Sequence, residues 1–281
     1  MKTTAETGLT PATSAKKRTG WRVGGILLTL LALLAGSLAA MDLMLASSKT
    51  TSDVYERSLT SLSIDLDNAS VEVEPGPVGR VRVVRVLRWS SFEPKIQETW
   101  EGDTLRIKVR CRIEITRPCR VSYRLSVPAQ TPLTVKGGGG DVTVRDLTEK
   151  IDVDLAGGDI RLENVLGDLD VTNVAGNVSI MDSRSRSVVV ESTAGDTHLG
   201  FVTPPTSVDV RTTAGNLEIQ VPRGALYFVD AESVAGSREV SVEQTGSAPH
   251  RIRARNDSGD LAVRYQGSSG GVPAIPPPPV K

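Results

Sequence analysis

Between Leu133 and Val263 apolar and polar residues alternate in short runs, and the alternation recurs. Leu133 and Val135, Ile151 and Val153, and Leu169 and Val171 form first arms, while Val142 and Val144, Ile160 and Leu162, and Val178 and Ile180 form second arms. A period of two residues is the strand period, because successive side chains then point to opposite faces. Between the arms stands a glycine followed by Asp or Asn: Gly140-Asp141, Gly158-Asp159, Gly176-Asn177, Gly195-Asp196, Gly215-Asn216 and Gly259-Asp260. A sixth copy, between the last two of these, departs from the pattern, with Ser237 and Arg238 in place of an Asx and an apolar residue. In all seven copies an apolar residue lies eight positions ahead of the residue that follows the glycine, as Leu133 does to Asp141. Successive copies are 18, 18, 19, 20, 21 and 23 residues apart, so every insertion falls in the segment returning to the next copy.

Two short strands per copy, repeated, predict an all-β fold: a β-solenoid of about seven coils. No coil can bury its own apolar residues, so stability comes from stacking. The glycine suits a turn with positive φ, and the following Asx can bond nearby backbone and hold that turn. Stacking in chain order would place Asp141, Asp159, Asn177, Asp196, Asn216, Ser237 and Asp260 in one ladder. A column of cations on these oxygens is the rival reading to a structural turn.

Ahead of the repeat, Val23 to Met41 is an uncharged run of 19 residues, with Lys16, Lys17, Arg18 and Arg22 before it and Asp42 after it. As a helix it would be about 28 Å long, close to the thickness of a bilayer core. The basic flank predicts a cytoplasmic N-terminus and an extracytoplasmic remainder. The division expected is a tail over 1–20, a transmembrane signal anchor over 21–46, a polar stalk over 47–57, the β domain over 58–265 (cap 58–130, repeats 131–265), and a Pro-rich tail over 266–281. A signal peptide cleaved near Ala39 is the alternative to the anchor. Ala32, Gly36 and Ala40 form a small-residue stripe through which two such helices could associate weakly.

The segment 58–130 carries longer strand patterns that predict a cap over the N-terminal end of the solenoid, shielding an open edge. Cys111 and Cys119 are the only cysteines, and an exported location favours their disulfide. If they close a hairpin, Val109 faces Val121, Ile107 faces Tyr123 and Leu105 faces Leu125, all apolar pairs. That register also sets Arg110 against Arg120 and Arg106 against Arg124 on the outward side, where like charges repel.

An N-terminal apolar segment, a strand-rich region ending in Tyr-Arg-Leu-Ser-Val-Pro at residues 123–128, and recurring Gly-Asp-Val-like units together resemble a bacterial putative-adhesin family of extracytoplasmic β-solenoid domains of unknown function. The resemblance covers 58–265. It implies surface adhesion and brings no catalytic or ligand residues with it.

Charge is uneven although 33 basic and 33 acidic residues balance overall. Arg80 to Arg124 holds twelve basic and five acidic residues, whereas Asp141 to Arg264 holds twelve basic and twenty acidic. Arg106, Arg110, Arg120 and Arg124 are therefore candidate anion-binding residues; carboxylates on adjacent strands, or water and salt, would equally account for them. The two histidines, His198 on an outward strand position and His250 in the longest return segment, fall in no nucleophile motif or zinc spacing. No catalytic residue, metal or cofactor is expected, and no nucleic-acid partner, since no basic helix or stacking platform is evident. The expectation is a membrane-anchored envelope protein whose solenoid is an adhesive, sensory or scaffolding surface for an unidentified envelope ligand. The working loops would be Met181 to Ser187, Gly200 to Ser207, Gln220 to Phe228 and Ser241 to Arg251. A structural component binding anionic wall polymer or lipid through the basic cap is the alternative. An enzyme acting on wall glycans would need paired carboxylates in an aromatic-lined groove, and the chain is 4% aromatic.

Overall fold

The computed structural model describes residues 25–34, 36, 47–89, 93–111 and 119–267. It divides into two compact units, Met1–Ala46 and Ser47–Lys281. In the first, residues 25–34 and 36 are helical, and the Thr29 hydroxyl bonds the carbonyls of Gly25 and Ile26, each at 3.0 Å. Among the described residues no helix is long and apolar enough to cross a membrane. The expected span Val23 to Met41 lies partly outside them, as does the expected tail 266–281 beyond residue 267, and Ala40 and the tail 1–20 lie wholly outside them.

The second unit is built of strands. They are β1 (Ser47–Tyr55), β2 (Ser61–Leu66), β3 (Ala69–Gly76), β4 (Val81–Trp89), β5 (Lys95–Glu101), β6 (Thr104–Arg110) and β7 (Arg120–Pro128). The repeat follows with β8 (Leu133–Gly137), β9 (Val142–Arg145), β10 (Ile151–Leu155), β11 (Ile160–Glu163), β12 (Leu169–Ala175), β13 (Val178–Ser183), β14 (Ser187–Ala194) and β15 (Thr197–Phe201). It ends with β16 (Ser207–Ala214), β17 (Leu217–Val221), β18 (Tyr227–Ala235), β19 (Arg238–Ser241), β20 (His250–Ser258) and β21 (Leu261–Tyr265). Second arms form one sheet, ordered β1-β4-β7-β3-β9-β11-β13-β15-β17-β21-β19. First arms form the other, ordered β18-β20-β16-β14-β12-β10-β8-β2-β6-β5.

Within the repeat all pairing is parallel and in phase, so Leu133, Ile151, Leu169, Val188 and Val208 stack in one column and Val142, Ile160 and Val178 in another. These side chains fill the space between the sheets and are buried. Each contributes about 1.5–3 kcal/mol relative to exposure, which no single coil could obtain alone. The expected solenoid is thus present, with more coils than the repeat count and in a different order.

The order departs from the sequence at both ends. The seventh copy, β20 and β21, is inserted between the fifth (β16, β17) and the sixth (β18, β19), so the sixth is outermost. Its aberrant residues suit that place, since Arg238 lies at the free end and donates to the Ala231 carbonyl at 3.4 Å. At the other end β2 and β3 form a further forward coil, with Leu62 beside Leu133 and Val71 beside Val142. Its eight-residue offset, Leu62 to Ser70, is that of the repeat. The glycine is missing, and Asn68, at φ 58°, takes the left-handed position instead.

The chain then runs out to β4 and β5, which pair antiparallel with β7 and β6, and returns through β6 and β7 as the coil between. Residues expected as a stalk supply β1, antiparallel to β4. The expected hairpin of β6 with β7 is absent, because the two strands lie in different sheets. The disulfide is present all the same: Cys111 and Cys119 are 5.8 Å apart at Cα and join the end of β6 in one sheet to the start of β7 in the other.

The inner positions of the reversed coil include charged groups. Arg85 on β4 pairs with Glu98 on β5 and with Asp53 on β1. Tyr55 and Tyr123 donate to Glu98 at 3.0 and 3.2 Å. Tyr55 also packs edge-on against Trp100, with ring centroids 5.5 Å apart. This network closes the core with polar groups at the end where β1 and β5 are the last described strands of the two sheets, and burial together with the charge of Glu98 pushes the Tyr123 phenol well up.

Candidate interaction surface

On one flank the Gly-Asx turns stack. Each Asx side chain accepts the backbone N–H of the corresponding residue in the next coil rather than bracing its own turn. Asp141 accepts from Asp159 (3.2 Å), Asp159 from Asn177 (2.8 Å), Asn177 from Asp196 (3.0 Å), Asp196 from Asn216 (2.8 Å) and Asn216 from Asp260 (3.1 Å). Asp260 accepts the amide and hydroxyl of Ser237, and these bonds hold its carboxyl below the usual range. Asp260 therefore precedes Ser237, the reverse of chain order. Each ladder oxygen that accepts an amide is thereby engaged in joining coils, and among the described residues no group of three His, Cys, Asp or Glu side chains is placed to hold a metal.

The glycines are needed twice over. Gly195 and Gly215 have φ of 130° and 132°, and a Cβ on either would stand 2.1 Å from the carbonyl oxygen of the glycine one coil away. A second polar column was not anticipated: Asp146, Asn164 and Asp182, at φ 55°, 52° and 53°, lie at the ends of the second arms of the first three copies, the first two just past β9 and β11 and the third within the last residues of β13. Their 18-residue spacing was the signal in the sequence.

The four candidate arginines do not converge. Arg106 and Arg110 project from the outer face of the first-arm sheet, Arg120 and Arg124 from the outer face of the other. Three meet carboxylates: Arg106 with Glu101 (3.0 Å), Arg110 with Asp65 through two bonds (3.0 and 2.7 Å), and Arg124 with Glu72 (2.9 Å). The Arg110 bonds hold the Asp65 carboxyl down. Burial would raise Glu72, but Arg124 and Arg145, which share it, hold it below its ordinary value. Arg120 stands opposite Arg88 rather than Arg110.

Because the strands are parallel, all segments returning from one sheet to the other lie on the flank opposite the Gly-Asx ladder. The strands run further into these segments than expected, leaving 184–186, 202–206, 222–226 and 242–249 as connections. Most are anchored, with Ser185 and Pro205 buried. Leu166, in an earlier return segment, is 43% exposed, but the outermost corner adds aromatic and cationic side chains. Leu226 is 45% exposed and Phe228 is 39% exposed. The Arg251 guanidinium lies 5.6 Å from the centre of the Phe228 ring, and that of Arg223 lies 4.9 Å from the Tyr265 ring. Beneath them Tyr227 is buried and donates to the Pro222 carbonyl at 2.9 Å, and burial pushes its phenol up to about 12. The Glu243 amide donates to the Tyr265 hydroxyl at 2.9 Å. His250 Nδ1 lies 2.8 Å from the Pro205 carbonyl, and His198, outward on β15 as its repeat position requires, lies 3.4 Å from Glu218. A rigid platform thus carries an aromatic and cationic corner, the composition that protein contact surfaces favour.

Residues 99–264 match the Toastrack DUF4097 family. The chain belongs to that family. The family resemblance drawn from residues 123–128 and the recurring Gly-Asp-Val units is thereby borne out. The Toastrack match begins within β5, so β1 to β4 lie ahead of it. Similar solved structures include a protein described as a putative adhesin from Bacteroides fragilis, 12% identical, with a TM-score of 0.47 over 78% of this chain and 98% of that one. Another is a putative cell adhesion protein from Clostridium sporogenes, 10% identical, TM-score 0.39, over 78% of this chain and 100% of that one. A third is a putative lipid binding protein from Parabacteroides distasonis, 10% identical, TM-score 0.41, over 76% and 96%. No curated protein matches the chain.

Proposed function

We propose that this Toastrack protein is a non-enzymatic interaction module of the cell envelope, and that its contact surface is the return-flank corner formed by Leu226, Phe228, Arg223 and Arg251. The observation that carries this is the exposure of Leu226 and Phe228 on a corner whose supports, Tyr227, Pro222 and Tyr265, are fixed by hydrogen bonds and burial. Ordered apolar groups beside guanidinium ions bind without a large entropic cost of ordering. On this reading the apolar run Val23 to Met41 anchors the chain in the membrane with the β unit outside, and the stripe Ala32, Gly36, Ala40 permits weak self-association. The test is to express full-length chains carrying Leu226→Ser and Phe228→Ser together and compare recovery of envelope components after mild cross-linking in cells. The reading expects loss of specific cross-linked species with unchanged membrane fractionation. Retention of every species would refute it.

A further inference from the structure

A second surface lies on the outer face of β1, β4 and β7, away from the corner. Strand alternation turns Val81, Val83 and Leu87 of β4, and Val121, Tyr123 and Leu125 of β7, into the core, so Arg82, Arg88, Arg120 and Arg124 project outward. Arg88 and Arg120 are directly opposite in the antiparallel ladder, and both are exposed. Like charges in that relation are destabilising unless something neutralises them. No carboxylate pairs with Arg82, Arg88 or Arg120 among the described residues, and only Arg124 has one, Glu72, which it shares with Arg145. The outward positions of β1 hold hydroxyls, Ser48, Thr50 and Ser52, and those of β7 between and beyond its arginines hold Ser122 and Ser126. The three strands therefore present arginines and hydroxyls with no acidic side chain on this face.

We infer that this face binds a linear, phosphate-bearing polyanion. Guanidinium groups bind phosphate oxygens in pairs, and hydroxyls can donate to the oxygens between them. The spacing argues for a chain over a single anion. Arg82 and Arg88 are six residues apart on β4, about 20 Å, and Arg120 and Arg124 are about 14 Å apart on β7, farther than one phosphate can bridge. It also argues against a lipid surface, because the outward apolar groups here are Val54, Val84 and Val86, and no aromatic side chain stands among them to enter an interface.

The test uses the full chain in a neutral detergent and linear inorganic polyphosphate as probe, with binding followed by calorimetry at two salt concentrations. The variant Arg82→Gln, Arg88→Gln, Arg120→Gln should bind at least tenfold more weakly. The control Lys136→Gln, Lys150→Gln, Arg186→Gln, which removes equal charge elsewhere, should change binding less than twofold. Orthophosphate at the same total phosphate should not compete. Thermal unfolding of the first variant should be unchanged or higher, since it relieves the Arg88 and Arg120 repulsion, and the single Arg88→Gln serves if the triple variant misfolds. Equal weakening by both triple variants, full binding by the first, or effective competition by orthophosphate would overturn the inference. So would attachment to phosphatidylglycerol vesicles without polyphosphate binding, which would make the face a membrane contact.

Discussion

Asp209 and Arg253 meet across β16 and β20, with 3.3 Å between Oδ2 and Nη1. Their contact belongs to a charge pattern that fits the unusual strand order. Arg253 also reaches Asp230 on β18 (3.8 Å), and Arg255 contacts Asp230 (3.0 Å) and Glu232 (3.1 Å). Had the coils stacked in chain order, β18 would lie against β16, and Asp230 would take the place of Arg253 beside Asp209. The observed order sets Arg253 between Asp209 and Asp230 where chain order would oppose the two aspartates, although two positions along it also sets Arg211 beside Arg255. Arg253→Asp should therefore loosen the terminal coils selectively. Single exposed pairs are worth under about 1 kcal/mol, but here two attractions become two repulsions, so a loss of about 1–2 kcal/mol is expected. Hydrogen exchange should accelerate in β18 to β21 and stay slow in β10 to β15.

The turn ladder predicts a sharp contrast at neighbouring residues. Gly195→Val or Gly215→Val forces a side chain into a left-handed conformation and into a carbonyl one coil away, so neither chain should reach a soluble folded state. Asp196→Asn keeps an acceptor for the Asn216 amide and should be close to neutral, while Asp196→Ala loses that bond at about 1 kcal/mol. Denaturant titration of the four variants gives the comparison.

Breaking the Cys111–Cys119 disulfide should cost about 2.5 kcal/mol in the chain-entropy treatment of a short loop. Because the bond joins the two sheets within a single coil, the Cys111→Ser, Cys119→Ser chain should keep its β circular dichroism. Its faster hydrogen exchange should be confined to β4 through β7.

Alkaline pH should weaken the fold through its buried phenols. Tyr123 is pushed up by burial and Glu98, and Tyr227 by burial to about 12. A raised folded-state value means that each contribution is intact below the unfolded value of about 10 and disappears as the pH climbs through the folded one. Denaturation midpoints should hold steady to about pH 9.5 and fall between about pH 10 and 12, less steeply in Tyr123→Phe.

How far the sequence could be read follows from the reach of its signals. The invariant offset and period-two arms sufficed for parallel strands, stacked coils and a turn on one flank, because these depend on local backbone and side-chain direction. Coil order was hidden because it depends on partners far apart in the chain, as Asp209 and Arg253 are. The coil from Leu62 to Val73 escaped notice because its left-handed residue is Asn68, one position earlier than the glycine of the repeat. Cys111 and Cys119 were paired correctly on the wrong geometry: apolar parity fits a hairpin and two facing sheets equally well. The arginines were visible as an excess of charge, but their grouping required knowing which face each strand exposes. The outward side of Phe228 follows from its place before the inward Val229, as for its partner Arg251, whereas the exposure of Leu226 depends on the path of a return segment that strand alternation does not set.

The most direct measurement of the central claim is site-specific photocross-linking in intact cells, with the reactive group placed at Leu226 or Phe228 and, for comparison, at Asp170 or Thr172 on the outer face of the central coils. The account predicts a discrete higher-mass product from the first two positions and none from the second two. Products from the central face alone, or the same products from all four positions, would contradict it.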